Sequence, residues 1–162
     1  MEMVEKKNKM TLVVLSGDMD KVMAAYIIAS GAAAAGMEVI MFFTFWGIKA
    51  IQRDGVFTGQ GLMGRMLGVM NRGGLKAIGP SRLNMLGMGR WMFKKMMKLH
   101  GVAQLQELRD ACIALDVKLI PCDMSMKVME ITCEDLIPEA AEPVGVAVML
   151  EHANESSVQY FI

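Results

Sequence analysis

Hydrophobic residues fall along this chain in two alternating patterns. Residues 11–15 (TLVVL), 39–45 (VIMFFTF) and 117–121 (VKLIP) are short, almost continuous apolar runs, the kind buried on both faces of a parallel sheet. Between and after them the spacing turns helical. Asp18 is a good N-cap for a helix to about Ala35, and Gly36 supplies its left-handed stop. Leu105, Leu108, Cys112 and Leu115 mark one face of a helix over 102–115, and 123–130 reads as a short helix after the third strand. A helix over 144–153 is expected to turn Val146, Met149, Leu150 and Ala153 inward, before a last strand at 158–162. Strands and helices in alternation predict an α/β fold with a mostly parallel sheet.

Two stretches test that rhythm. From Val22 to Ile48 the only charge is Glu38, and the run is long enough to cross a bilayer. Its Ala-rich first half, Gly36 and its Val/Ile/Phe second half read better as a helix followed by a buried strand. Residues 58–100 interrupt the alternation altogether. They hold Arg65, Arg72, Lys76, Arg82, Arg90, Lys94, Lys95 and Lys98 without one Asp or Glu, and Gly and Met fill much of the rest. Lys94, Lys95 and Lys98 share one helical face over 91–100. Such a basic amphipathic helix suits a membrane surface, a partner protein or the body of its own fold.

Length and charge add limits. The 162 residues fit one domain, expected over 11–162 with a flexible tail at 1–10 and the basic Met/Gly-rich insertion at about 58–100. The charged start lacks the apolar stretch of a secretory signal. Net charge is zero, which predicts no general attraction to nucleic acid, and base-edge readers and stacking aromatics are missing. Three cysteines without paired spacing suit a reducing, cytoplasmic setting better than a disulfide scaffold. Nineteen methionines supply soft, adaptable packing surface.

The chemistry narrows to those cysteines. Ser16-Gly17-Asp18 after the first strand lacks the glycine spacing of a nucleotide phosphate cradle. His100 and His152 lack metal-ligand spacing and read as surface histidines, so no metal and no cofactor are expected. Cys112 shares its face with leucines and reads as core. Cys122 closes the third strand where a helix begins, so unpaired backbone N–H groups favour a thiolate there. A buried structural cysteine fits that position equally well. Asp123 opposes the thiolate, and the basic block could compensate if it folds over the site. Cys133 is a candidate resolving thiol, provided the helix between the two ends early enough for a disulfide.

Four segments in order resemble a known family: Phe42-Phe43-Thr44-Phe45-Trp46-Gly47, Asn84-Met85-Leu86-Gly87-Met88-Gly89, Cys122-Asp123-Met124-Ser125-Met126 and the closing Tyr160-Phe161-Ile162. Together they resemble the DsrE/DsrF-like family, in particular a Met-rich subgroup with a long central insertion. The resemblance implies a flavodoxin-like three-layer sandwich and assembly as trimers or hexamers. It implies a sulfurtransferase or sulfur carrier that holds persulfide sulfur on Cys122. Donor and acceptor proteins, or small persulfides, would be its partners. Met124 and Ser125 are the expected local hydrogen-bond donors, with Trp46 on the same edge. Glu130 departs from the subgroup, which tends to carry glycine there, and some members are described as membrane-associated. Two rival readings stay open: a non-catalytic scaffold docking a partner or membrane surface, and a disulfide-exchanging enzyme pairing Cys122 with Cys133.

Overall fold

A computed structural model describes residues 7–59, 61–70, 72–82 and 87–162. Four strands, β1 (Lys7–Val14), β2 (Glu38–Phe43), β3 (Lys118–Pro121) and β4 (Ser156–Phe161), form one sheet in the order β3-β2-β1-β4. All three pairings are parallel. Residues 140–144 add bridges along the free edge of β3, pairing Ala140 with Leu119 and Val144 with Cys122. The chain therefore winds outward from β1 to β3, then returns across the sheet to lay β4 on the other side of β1. The carboxyl edge of such a sheet, where loops leave the strands, is where α/β folds place their ligands.

Among the described residues the α-helices are α1 (Met19–Ala34), α2 (Leu62–Met70), α3 (Met88–Leu99), α4 (Leu105–Ala114), α5 (Asp123–Val128) and α6 (Val146–Glu155). A 3-10 helix, Phe45–Ile51, leaves the end of β2. Alternation along the strands sorts the sheet's two faces. Met10, Leu12, Val14, Val39, Met41, Phe43 and Leu119 meet the main core beneath α1 and α4, while Ile40, Phe42, Ile120 and Cys122 form a smaller cluster on the opposite face. The three layers and parallel sheet are those expected.

Particular elements differ from expectation. β1 begins at Lys7, earlier than the apolar run suggests, because its early residues pair with Glu38 and Ser156; residues 1–6 of the expected tail lie outside the described residues, as do Asn84 to Leu86. Lys9 is buried in this strand, with Nζ 2.9 Å from Glu155 Oε2 and 3.0 Å from His152 Nδ1. His152 thus accepts a bond from Lys9 instead of standing free at the surface, and the pair pins α6 to β1. The rotation of α6 also differs. Met149 packs on the smaller cluster, but Val146 and Leu150 are exposed, so only part of its apolar stripe meets the sheet. Asp18 does hold the N-cap position of α1, yet its carboxylate makes no cap bond; it takes the Ser16 hydroxyl at 3.0 Å and Lys21 at 3.1 Å.

The 22–48 stretch resolves into α1, Gly36 at φ 83 and β2. Among the described residues no helix is long and apolar enough to cross a membrane. The basic block contributes to the main core through Leu75, Ile78 and Met97.

Candidate functional site

The carboxyl ends of β2 and β3 meet at Cys122. Its N–H extends the ladder to Phe43 O at 2.8 Å, and its carbonyl accepts the Met126 N–H at 3.0 Å, opening α5. Cys122 therefore ends a strand and caps a helix with one peptide unit. The Asp123 N–H is taken by Val144 O at 3.0 Å, which leaves the next two N–H groups, Met124 and Ser125, for the sulfur. Phe42, Ile120, Val144 and Met149 wall it, and only 7% of Cys122 is exposed.

Burial by itself would raise the thiol pKa. A hydroxyl proton from the Ser125–Thr44 pair and the N–H groups of Ser125 and Met124 outweigh it, and hold the pKa below the usual cysteine value. Ser125 is buried, and its Oγ lies 2.8 Å from Thr44 Oγ1. The donors are thus fixed by packing and by one another. The arrangement stabilises negative sulfur inside an apolar wall, which a structural core cysteine does not require. Cys112 shows the contrast: wholly buried, its Sγ 3.4 Å from Tyr26 O, its thiol is pushed up to about 12 by desolvation.

Thr44 is the residue sequence reading missed. It sits in the aromatic segment after β2, and its place at the end of the strand next to β3 was the available signal. Trp46 lies on the same edge in a separate cleft. It is half exposed and lines a cleft of about 220 Å³ with Ser16, Gly17, Asp18 and Lys49. Gly17 permits this cleft, because a Cβ there would lie 2.5 Å from the Trp46 carbonyl oxygen. Between Thr44 and Trp46, Phe45 takes a left-handed φ of 44, a backbone form uncommon for a bulky side chain and one that concentrates at functional edges. Met124 contributes its N–H while its side chain is exposed.

Asp123 is compensated, though not by the basic block. Lys127, one turn along α5, holds its carboxylate at 2.7 Å. Cys133 is exposed at the start of a second 3-10 helix, Cys133–Asp135. The helix between the two cysteines does end early, at Val128, but all three cysteines are free thiols. Glu130 holds φ 51 just past α5, a conformation that favours glycine. Its carboxylate accepts the Gly61 N–H at 3.3 Å, tying the start of α2 to the end of α5.

Comparison with known proteins agrees with this fold. The crystal structure of the ychN protein from E. coli aligns with a TM-score of 0.55 over 95% of this chain and 98% of that one, at 11% identity, which establishes a shared fold. An uncharacterized protein, YrkE of Bacillus subtilis, is 40% identical over 99% of this chain and all of its own length. The sulfur carrier protein DsrE2 of Allochromatium vinosum is 31% identical over 97% of this chain and 99% of its own. The family model described as DsrE/DsrF/DrsH-like matches residues 6–161. With a parallel three-layer fold and a cysteine presented at its carboxyl edge, this chain belongs to the DsrE/DsrF/DrsH-like family.

Proposed function

We propose that this protein is a sulfur carrier that holds sulfur as a persulfide on Cys122 and passes it to a partner thiol. The observation that carries the reading is the convergence of Ser125, Thr44 and Met124 donors on one buried sulfur whose pKa is lowered despite its burial. The likeness to a sulfur carrier over nearly the whole chain supports the same role. The Cys122 thiolate attacks the outer sulfur of a donor persulfide, R–S–SH. The donor S–S bond breaks, R–S⁻ leaves, and Cys122–S–SH remains. An acceptor thiolate then attacks that outer sulfur and Cys122 departs as thiolate. No net oxidation occurs in either half. The donors that stabilise the attacking thiolate also stabilise it as leaving group, so one constellation serves loading and unloading.

Self-association into a trimer or hexamer belongs to the same proposal. It is supported by exposed Val146, Val148 and Leu150 on α6, and by Tyr160 and Phe161 on the edge strand β4. Light scattering at graded concentration tests it, and a monomer throughout would remove it.

For the carrier role, incubation with a persulfide donor should add the mass of sulfur at Cys122, reversibly with a reductant. Cys122→Ser should not load; Cys112→Ser and Cys133→Ser should load normally. A Cys122→Ser protein that loads like the parent would overturn the proposal.

A further inference from the structure

The acid-free block folds so that six of its eight positive charges line adjoining clefts, with Arg65 and Arg82 elsewhere. Two adjoining clefts, of about 400 and 420 Å³, share Lys76 as a common wall. Arg72 and Arg90 line the first, and Lys94, Lys95 and Lys98 line the second beside Gln104 and Gln106. Asp54 is the carboxylate bordering the groove, and it is already engaged, with Lys76 Nζ at 3.3 Å and the Lys76 N–H at 3.0 Å. Burial and the nearby charges of Arg90 and Lys76 hold the Lys94 ammonium below its usual pKa. With Asp54 as the one carboxylate among the lining residues of the two clefts, the groove favours an anionic occupant.

The strip also has direction. Arg90 acts electrostatically on Lys49, and Lys49 shares its cleft with Trp46 on the strand-end edge that carries Cys122. Positive charge thus extends from α3 to the Trp46 cleft, where Asp18 stands as its counter-charge.

We infer that this groove docks an acidic segment of the protein that exchanges sulfur with Cys122. The docking itself stands on the groove, and only the partner's identity rests on the proposed carrier role. Several features favour a protein segment over other anions. The charges line two adjoining concave clefts along which an extended segment can lie, with Arg72 and Lys76 themselves exposed to meet it. Exposed Trp91, Met92 and Met96 interleave with the lysines, and Lys95 Nζ lies 5.1 Å from the Trp91 ring, so carboxylates and apolar side chains both find complements. The chain's net charge is zero, so its field is local and draws a short segment better than a long duplex.

The test uses the full chain and a fluorescein-labelled deca-glutamate peptide, read by anisotropy. Saturable binding at low salt, lost at high salt, is expected, with Lys94→Glu/Lys98→Glu weakening it by about tenfold or more. Cys122→Ser should bind the peptide like the parent even where it fails to load sulfur, which separates this inference from the carrier role. Should the charge reversal unfold the protein, Lys95→Gln/Lys98→Gln replaces exposed groups only, and a severalfold loss is expected. No saturable binding at low salt would overturn the inference. So would unchanged binding by the folded variants, or tighter binding of duplex DNA or phosphatidylglycerol vesicles than of the peptide.

Discussion

The two hydroxyls beside Cys122 set up a non-additive pair. Thr44 Oγ1 and Ser125 Oγ are 2.8 Å apart, so one donates to the other; two undonated oxygens at that distance repel. Two hydroxyl protons therefore serve two acceptors, the neighbouring oxygen and the Cys122 sulfur. Either way round, the sulfur keeps one hydroxyl donor. Ser125→Ala frees the Thr44 proton to turn to the sulfur, and Thr44→Val frees that of Ser125. Each single change should cost little, while the double change removes the last hydroxyl donor and leaves only backbone N–H groups. A hydrogen bond to a charged acceptor contributes about 1.5–3 kcal/mol, and about 1.4 kcal/mol is a factor of ten. The double variant should lower the thiolate fraction at neutral pH by roughly tenfold to a hundredfold, and each single by less than about threefold. The assay is the pH dependence of Cys122 alkylation by iodoacetamide in a Cys133→Ser background. Cys112 stays silent there, because burial pushes it up to about 12. Two single losses of about tenfold that simply multiply in the double variant would refute the shared-proton reasoning. A double variant with undiminished reactivity would refute the hydroxyls' role altogether.

Other perturbations follow from neighbouring geometry. Cys112 is held neutral in the fold with its pKa raised to about 12, so above its unfolded value of about 8.5 the unfolded chain binds fewer protons than the native one. Stability is full below that pH and should fall between about pH 8.5 and 12, by up to about 1.4 kcal/mol per pH unit. Urea titrations across that range should show Cys112→Ala lessening the slope, and an unchanged slope would assign the loss elsewhere. Gly17→Ala would drive a Cβ to 2.5 Å from the Trp46 carbonyl. A cost of about 1–3 kcal/mol and slower sulfur loading are expected, and wild-type stability in urea would contradict the close approach. Lys127→Gln leaves the Asp123 carboxylate unpaired beside Cys122. Because Lys127 is exposed, alkylation of Cys122 should slow by less than about fivefold, and no slowing would show that Asp123 does not act on the thiol.

The sequence by itself determined what a few consecutive residues encode. Apolar runs marked β2 and β3, Gly36 ended α1, and Cys122 was legible as a strand end capping a helix, because strand and helix each follow from local pattern. Lys127, four residues from Asp123, was not read from the sequence as its partner, and the pairing shows that a helical neighbour can answer a charge that seemed to need the distant basic block. Tertiary structure decided which neighbours reach the sulfur. Thr44 and Ser125 are 81 positions apart and meet only because β2 and β3 lie side by side in the parallel sheet. It also decided which stripe of α6 faces inward, since periodicity defines a face but not its rotation on the sheet, and the Lys9 pairings with His152 and Glu155 set that rotation. The acid-free block was visible as composition alone. Folding made part of it a groove, because burying Leu75, Ile78 and Met97 in the core leaves Arg72, Lys76, Arg90, Lys94, Lys95 and Lys98 lining adjoining clefts.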